Sequence, residues 1–147
     1  MLFRIEILPR WLRDFLPLVL WMLLIFVLSA QPRLIDFDNE AGEKFFFKSA
    51  HIFTYGILAW LWWRTLAPQR HIGWPVLFIA FALTTLYGVS DEIHQSFVAG
   101  RHGRLADVFF DAGGALAMIL LIRRLKWLRF WPDSLSFSLS GSFNRGA

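Results

Sequence analysis

The segment from Phe15 to Ala30, FLPLVLWMLLIFVLSA, contains no charged side chain and ends with a single polar residue before Ala30. A membrane hydrocarbon core about 30 Å thick is crossed by roughly 20 apolar residues of α-helix. The segment approaches this length, and Arg13 and Gln31 lie just outside it. The sequence therefore predicts a membrane-spanning helix here.

Three further apolar segments follow: Ala50 to Leu66, Trp74 to Ser90 and Leu105 to Ile122. The chain of 147 residues is 56% hydrophobic and 18% aromatic, which is too apolar for an ordinary soluble domain. A soluble fold would have to bury all four segments in one small core. We therefore predict an all-α integral membrane bundle of four transmembrane helices. Interfacial tryptophans are expected to complete the short spans, namely Trp11, Trp62, Trp63, Trp74 and Trp127.

The fifteen Lys and Arg residues are distributed unevenly about these segments. Ten lie on the side that holds both termini, namely Arg4, Arg10, Arg13, Arg64, Arg70, Arg123, Arg124, Lys126, Arg129 and Arg145. Five lie on the other side, namely Arg33, Lys44, Lys48, Arg101 and Arg104. Because cytoplasmic loops are enriched in Lys and Arg, we predict that both termini are cytoplasmic. Leu28 is too large for a signal-peptide cleavage site at Ala30, so we expect the first helix to be retained.

Cysteine content and charge narrow the classes of function. The chain has no cysteine, which excludes disulfides, thiol-linked haem and thiolate metal sites. Its formal net charge is +4, and we expect the basic residues to set topology and to contact anionic lipids. No nucleic-acid-binding motif accompanies them, so a nucleic-acid partner is not expected. The predicted location is the inner or plasma membrane.

Polar residues gather at one end of the predicted bundle. Helical spacing places several on common faces: Lys48, His51 and Tyr55 in the second segment, Asp91, His94 and Gln95 in the third, and Asp107, Asp111 and Gly114 in the fourth. Because successive spans alternate in direction, these faces are expected to meet at the outer surface, where Ser29 also arrives. Ionisable groups in membrane segments usually face the bundle interior and indicate a functional site. Gly113 and Gly114 are expected to allow close helix packing.

Three stretches carry a family resemblance: FVLSAQP at 26–32, KSAHIFTYGIL at 48–58 and SDEIHQSFVAGRHGRLADVFFDAGGA at 90–115. They resemble successive motifs of the VanZ-like family of small multi-span membrane proteins. The resemblance covers roughly residues 15 to 122. Matching motif positions are Lys48, His51, Tyr55, Asp91, Glu92, His94, Gln95, Arg101 and Asp107. Asp111 departs from the pattern, since the family commonly has asparagine there, and this adds a negative charge.

The resemblance implies a four-helix membrane domain, which we place over residues 15–126. An interfacial N-terminal segment is expected over 1–14, and an interfacial and disordered tail over 127–147. The founding member of the family is associated with resistance to the glycopeptide teicoplanin. The resemblance therefore implies a role in the cell envelope and a link to antibiotic resistance, but family membership alone does not make this chain a resistance protein.

The first functional hypothesis is binding of an anionic envelope lipid or a lipid-linked precursor. Arginine suits bidentate contact with phosphate or carboxylate, and lysine supplies a point charge. Nearby carboxylates would hold these cations in place. The expected binding residues are Lys48, Tyr55, Gln95, Arg101, Arg104, Asp107 and Asp111.

The second hypothesis is a membrane hydrolase or transferase. His51 or His94 would act as general acid or base, and Asp91 or Glu92 would orient the imidazole ring. Both histidines and a carboxylate are a chemically reasonable metal set, but no HExxH spacing is present, so hydrogen bonding is favoured over a metal. The pattern identifies no cofactor.

The remaining hypotheses are structural. In the first, three cations face four carboxylates in a nearly neutral set of ion pairs that would hold the helix ends together, called the ionic latch. The cations are Lys48, Arg101 and Arg104, and the carboxylates are Asp91, Glu92, Asp107 and Asp111. A structural component of a larger membrane assembly is the other alternative. The sequence does not fix the oligomeric state.

Overall fold

The computed structural model describes residues 9–31, 39–67, 72–99 and 103–125. These residues form four α-helices and no strand: α1 (Arg10–Ser29), α2 (Glu40–Leu66), α3 (Trp74–Gln95) and α4 (Leu105–Arg124). The all-α prediction with four helices is confirmed for this part of the chain. The predicted tail over 127–147 and most of the predicted segment 1–14 lie outside the described residues.

α2 begins ten residues earlier than the apolar segment that predicted it. Its N-cap is Asn39, whose side-chain oxygen accepts a hydrogen bond from the Gly42 backbone N–H at 2.5 Å. Such a cap satisfies one of the backbone donors that a helix start leaves unpaired. The stretch up to Phe47, which hydropathy alone assigns to a loop, is therefore helical.

The other helices also extend beyond their apolar runs. α1 begins at Arg10 and contains Pro17 in its interior, although a proline is more readily accommodated near the start of a helix. α3 continues past Ser90 to Gln95, so its last turn carries the polar residues of the predicted site. Pro75 lies in the first turn of α3, where a missing N–H costs nothing.

α2 is the central helix. It packs most extensively on α4, while α1 lies at the side against α2 and touches α3 less. One buried apolar cluster joins α2, α3 and α4 and includes Trp63, Leu77 and Ile122. A second cluster joins α1 and α2 through Leu18 and Leu58.

Glycine 114 allows the close contact between α2 and α4. A Cβ atom at this position would overlap the Ile52 backbone and lie 2.8 Å from the Ile52 Cα. A Cβ at Gly113 would meet nothing within 4 Å. The expectation of close packing is therefore confirmed for Gly114 and is wrong for Gly113.

Large apolar side chains are exposed along all four helices, including Leu20 on α1, Phe53 on α2, Phe78 on α3 and Phe109 on α4. Apolar surface this extensive is typical of proteins that contact a membrane or another protein. α1 over Leu12–Ser29 and α3 over Trp74–Gln95 are long and apolar enough to cross a membrane. Together with the exposed surface, these two helices indicate membrane association.

The tryptophans divide between core and surface. Trp63 was expected at an interface, but it is buried among α2, α3 and α4. Trp74 is exposed, and the Arg123 guanidinium carbon lies 3.9 Å from the centroid of its indole ring. Such a cation–π contact suits the boundary between apolar and polar surroundings.

A buried ion pair joins α1 to α2 at the end remote from the predicted site. Arg64 Nε donates a hydrogen bond to Asp14 Oδ1 at 3.0 Å, and both residues are buried. Thr65 Oγ1 donates to the Asp14 backbone carbonyl at 3.1 Å. Arg64 was expected to set topology and to contact anionic lipid with the other basic residues, and its pairing with Asp14 was not predicted.

Candidate functional site

The polar helix faces meet at the end of the bundle formed by the ends of α1 and α3, the start of α4 and the first half of α2. Hydrogen bonds connect Ser29 on α1 with Asp91 on α3, Tyr55 on α2 with Asp91, and His51 on α2 with Asp111 on α4. The spacing of polar residues along each helix therefore identified faces that come together in the fold. The contacts divide into two groups.

The first group, called the Asp91 network, consists of Ser29, Tyr55, Asp91 and Gln95. Asp91 Oδ1 accepts from Ser29 Oγ at 2.5 Å, and Asp91 Oδ2 accepts from Gln95 Nε2 at 2.8 Å and from Tyr55 OH at 3.2 Å. All four residues are buried. One carboxylate thus satisfies donors from three helices, as a buried charge in a folded protein requires.

His94 lies beside the Asp91 network and faces α1. Its ring stacks on Phe26 with centroids 4.4 Å apart, and its Nδ1 lies 3.4 Å from Ser29 Oγ. The Ser29 hydroxyl already donates to Asp91 at the shorter distance of 2.5 Å. The arrangement of Ser29, Asp91 and His94 therefore differs from that of a catalytic triad, in which the histidine ring lies between the serine hydroxyl and the carboxylate.

The second group, called the His51 group, consists of His51, Glu92 and Asp111. His51 Nδ1 lies 2.8 Å from Asp111 Oδ1, and Asp111 is fully buried at 0% exposure. One donor atom from each of the three residues lies within 4.8 Å of the others. Each residue comes from a different helix, so the group depends on how α2, α3 and α4 pack.

Glu92 closes the His51 group toward the start of α4. Its Oε2 accepts the Arg104 backbone N–H at 2.8 Å. Its Oε1 is buried and has no hydrogen-bond partner in the described part of the chain, and the same holds for Asp111 Oδ2. Two carboxylate oxygens in one small group are therefore unsatisfied.

The predicted cations lie at the rim of the site. Lys48 is exposed, and its Nζ lies 4.7 Å from the centroid of the Phe110 ring. Arg104 is exposed as well, and its backbone rather than its guanidinium contacts Glu92. Asp107 is half-buried in the first turn of α4. Arg101 lies outside the described residues.

Two residues outside the predicted binding and catalytic set help to build the site. Ser29, which was expected to reach this end of the bundle, supplies the α1 contact to Asp91, and Gly88 lets Asp111 pack closely against α3. A Cβ at Gly88 would lie 2.9 Å from Asp111 Oδ2. The available signal was that Gly88 precedes Asp91 by three residues, on the same helix face.

Substituting Asp91 by leucine is expected to destabilise the bundle by about 2 kcal/mol, because buried hydroxyl and amide donors lose their acceptor. Asp91→Asn is expected to cost less than half as much, since one amide oxygen can still accept from Tyr55 and Gln95. Denaturant unfolding in mixed micelles, followed by circular dichroism, measures both changes. Equal losses in the two variants would contradict a hydrogen-bonding role for this carboxylate.

The chemistry available at the site follows from this arrangement. The site holds three buried carboxylates and the half-buried imidazole of His51, while Lys48 and Arg104 lie exposed outside it. The His51–Asp111 contact orients an imidazole as an acid, a base or a ligand would require. The exposed cations are suited to contacts with an anion that approaches the rim.

The VanZ/LLP1 family matches residues 15–129. No curated protein and no solved structure matches the chain significantly. The family match spans more than half of the sequence and includes the Asp91 network and the His51 group. The resemblance inferred from the motifs is therefore confirmed, and this chain belongs to the VanZ/LLP1 family.

Proposed function

We propose that this protein binds the anionic head group of an envelope lipid, or of a lipid-linked envelope precursor, at the polar end of its helical bundle. It would do so as an inner- or plasma-membrane protein with four spans, both termini cytoplasmic and the site facing outward. The observation that carries the proposal is the pair of exposed cations at the rim. Among the described residues, neither the Lys48 ammonium nor the Arg104 guanidinium is paired with a carboxylate.

Hydrogen bonds within the bundle already engage Asp91 and one oxygen of Glu92, so we favour the rim as the surface that binds the head group. Asp91 accepts from three side chains, and Glu92 Oε2 accepts from the Arg104 backbone. A phosphate or carboxylate group can instead be bound by Lys48 and Arg104 with charge-assisted hydrogen bonds. The site would therefore recognise a negative head group without breaking the contacts that hold the helices.

The surroundings of the rim suit an amphiphile. Phe53 on α2, Phe97 just after α3 and Phe109 on α4 are strongly exposed near the same end of the bundle. Aromatic and aliphatic surface next to a cationic rim can contact an acyl or prenyl chain while the head group binds the cations. A bound envelope precursor would connect the protein to teicoplanin resistance, with which the founding member of the family is associated.

The exposed apolar surface and the charge distribution support the proposal of four spans. α2 and α4 carry polar residues near the site, yet they expose large apolar side chains such as Ile52 and Leu120. The basic residues of the loops and ends favour cytoplasmic termini. The polar end of the bundle would then lie at the outer leaflet, where lipid-linked precursors are exposed after translocation.

Native mass spectrometry of gently extracted protein tests the proposal. Wild type is expected to retain a phosphorylated or otherwise anionic lipid, and Lys48→Met combined with Arg104→Gln is expected to retain at least tenfold less. Arg124→Gln is the matched control, because it removes an exposed charge at the opposite end of α4 and should leave retention unchanged. Equal retention in the double variant, or none in folded wild type, would refute head-group binding.

The second candidate function is hydrolysis or group transfer, which the His51–Asp111 contact favours. Asp111 would orient the ring, and His51 would exchange a proton with the substrate. His51→Gln separates the candidates. An enzyme would lose turnover while it still bound lipid, whereas a binding protein would keep its function.

A further inference from the structure

The His51 group has the composition of a metal site. It supplies one imidazole nitrogen and two carboxylates, and its three donor atoms lie within 4.8 Å of one another. Zinc bonds of about 2.0 to 2.2 Å allow one ion to join donors up to roughly 4.4 Å apart. Small side-chain rotations therefore bring all three residues into contact with a single ion.

Two buried carboxylate oxygens without a partner among the described residues are a second, independent indication of a ligand. Glu92 Oε1 and Asp111 Oδ2 have no hydrogen-bond partner in the described part of the chain. Glu92 is 5% exposed and Asp111 is 0% exposed, so water does not solvate these oxygens freely. Burying a carboxylate oxygen without a partner is costly, and buried charges are usually paired or coordinate metals.

Gly88 brings one of these oxygens close to α3. A side chain at Gly88 would place its Cβ 2.9 Å from Asp111 Oδ2, closer than ordinary packing allows. Glycine therefore lets the Asp111 carboxylate pack against α3, the helix that carries Glu92. The remaining oxygens are occupied, since Glu92 Oε2 binds the Arg104 N–H and Asp111 Oδ1 contacts His51.

The charge of the group suits a divalent cation. When His51 is neutral and both carboxyl groups are ionised, as metal ligation requires, the group carries a charge of about −2, and the described basic side chains near it, Lys48 and Arg104, lie exposed at the rim. A nitrogen donor favours a transition metal over Mg²⁺ or Ca²⁺, which prefer oxygen ligands. Three protein ligands leave a coordination position open, as in catalytic zinc sites.

We infer that His51, Glu92 and Asp111 bind one divalent transition-metal ion, with zinc the best match to the donors. The sequence alone favoured hydrogen bonding over a metal and considered His51 with His94. In the fold, His94 belongs to the α1 side of the site, and Glu92 and Asp111 are the residues that join His51. The inference rests on this geometry and does not depend on lipid binding.

Zinc titration of purified, tag-free protein tests the inference. The protein is stripped with a chelator, exchanged into metal-free detergent buffer and titrated with Zn²⁺ against a chromophoric zinc indicator. Wild type is expected to bind one ion per chain. Glu92→Gln and Asp111→Asn, which keep side-chain volume, are each expected to weaken binding at least 100-fold, as is His51→Gln.

His94→Gln is the matched control and is expected to bind zinc as wild type does. Circular dichroism of each metal-free variant establishes that it is folded before titration. Absence of one tight equivalent in wild type, or unchanged affinity in Glu92→Gln and Asp111→Asn, would overturn the site. Equal affinity for Mg²⁺ would overturn its assignment to a transition metal. Loss of lipid in the Lys48 and Arg104 variants is a separate readout, so the two proposals can fail independently.

Discussion

Gly114→Ala is expected to destabilise the bundle by about 3 kcal/mol, although it adds only one methyl group. The new Cβ would overlap the Ile52 backbone, and a backbone contact cannot be relieved by a rotamer change. α2 and α4, which share the largest helix contact, would have to separate. Because Ile52 adjoins His51, the separation should also break the His51–Asp111 contact.

Gly113→Ala is the matched control. The neighbouring position has open space around its Cβ direction, and it is exposed. Alanine favours a helix over glycine by roughly 0.5 to 1 kcal/mol, so this variant should be as stable as wild type or slightly more stable. Thermal unfolding of both variants in the same detergent measures the contrast. Similar melting temperatures for the two variants would show that α2 and α4 do not approach as closely as described.

The helices could be predicted because each contains an apolar segment close to the length of a membrane span. α3 begins at Trp74 as the pattern predicts, since Gly73 and Pro75 mark a helix start. α2 was predicted too short because hydropathy falls before Ala50. The signal there was local, an N-cap at Asn39, and an isolated cap does not reveal whether the following turns are helical until tertiary contacts stabilise them.

The sequence predicted which helix faces form the site, but it did not predict which residues on those faces contact each other. Helical spacing placed His51, Asp91 and Asp111 on inward faces, because polar residues in apolar helices avoid lipid. Which carboxylate meets His51 depends on how each helix is rotated about its axis. That rotation is set by close contacts such as Gly114 on Ile52, which hydropathy does not describe.

The predicted ionic latch differs from the contacts that join the helix ends. Asp91 accepts from a hydroxyl, a phenol and an amide, and Glu92 accepts from a backbone N–H. In the described part of the chain, the cations expected to pair with these carboxylates are at the rim. The helix ends are thus held by groups that leave Lys48 and Arg104 available to an external anion.

Asp14→Ala is expected to lower the free energy of unfolding by about 3 to 5 kcal/mol, because it leaves the buried Arg64 guanidinium without its carboxylate. The side chains are only 10% and 8% exposed, so water cannot replace the lost partner easily. The change lies at the end of the bundle remote from the His51 group. It should therefore reduce stability while zinc affinity of the folded protein stays the same.

The double variant Asp14→Leu with Arg64→Met separates the cost of an unpaired charge from the value of the pair. Replacing a buried ion pair by apolar side chains is often neutral or stabilising, since two desolvated charges are removed together. We expect the double variant to unfold close to wild type and each single variant to unfold far more readily. A double-mutant cycle from denaturant unfolding in mixed micelles gives the coupling energy. Additive losses, with no recovery in the double variant, would mean that Arg64 and Asp14 stabilise α1 and α2 through other contacts and not through their mutual charge.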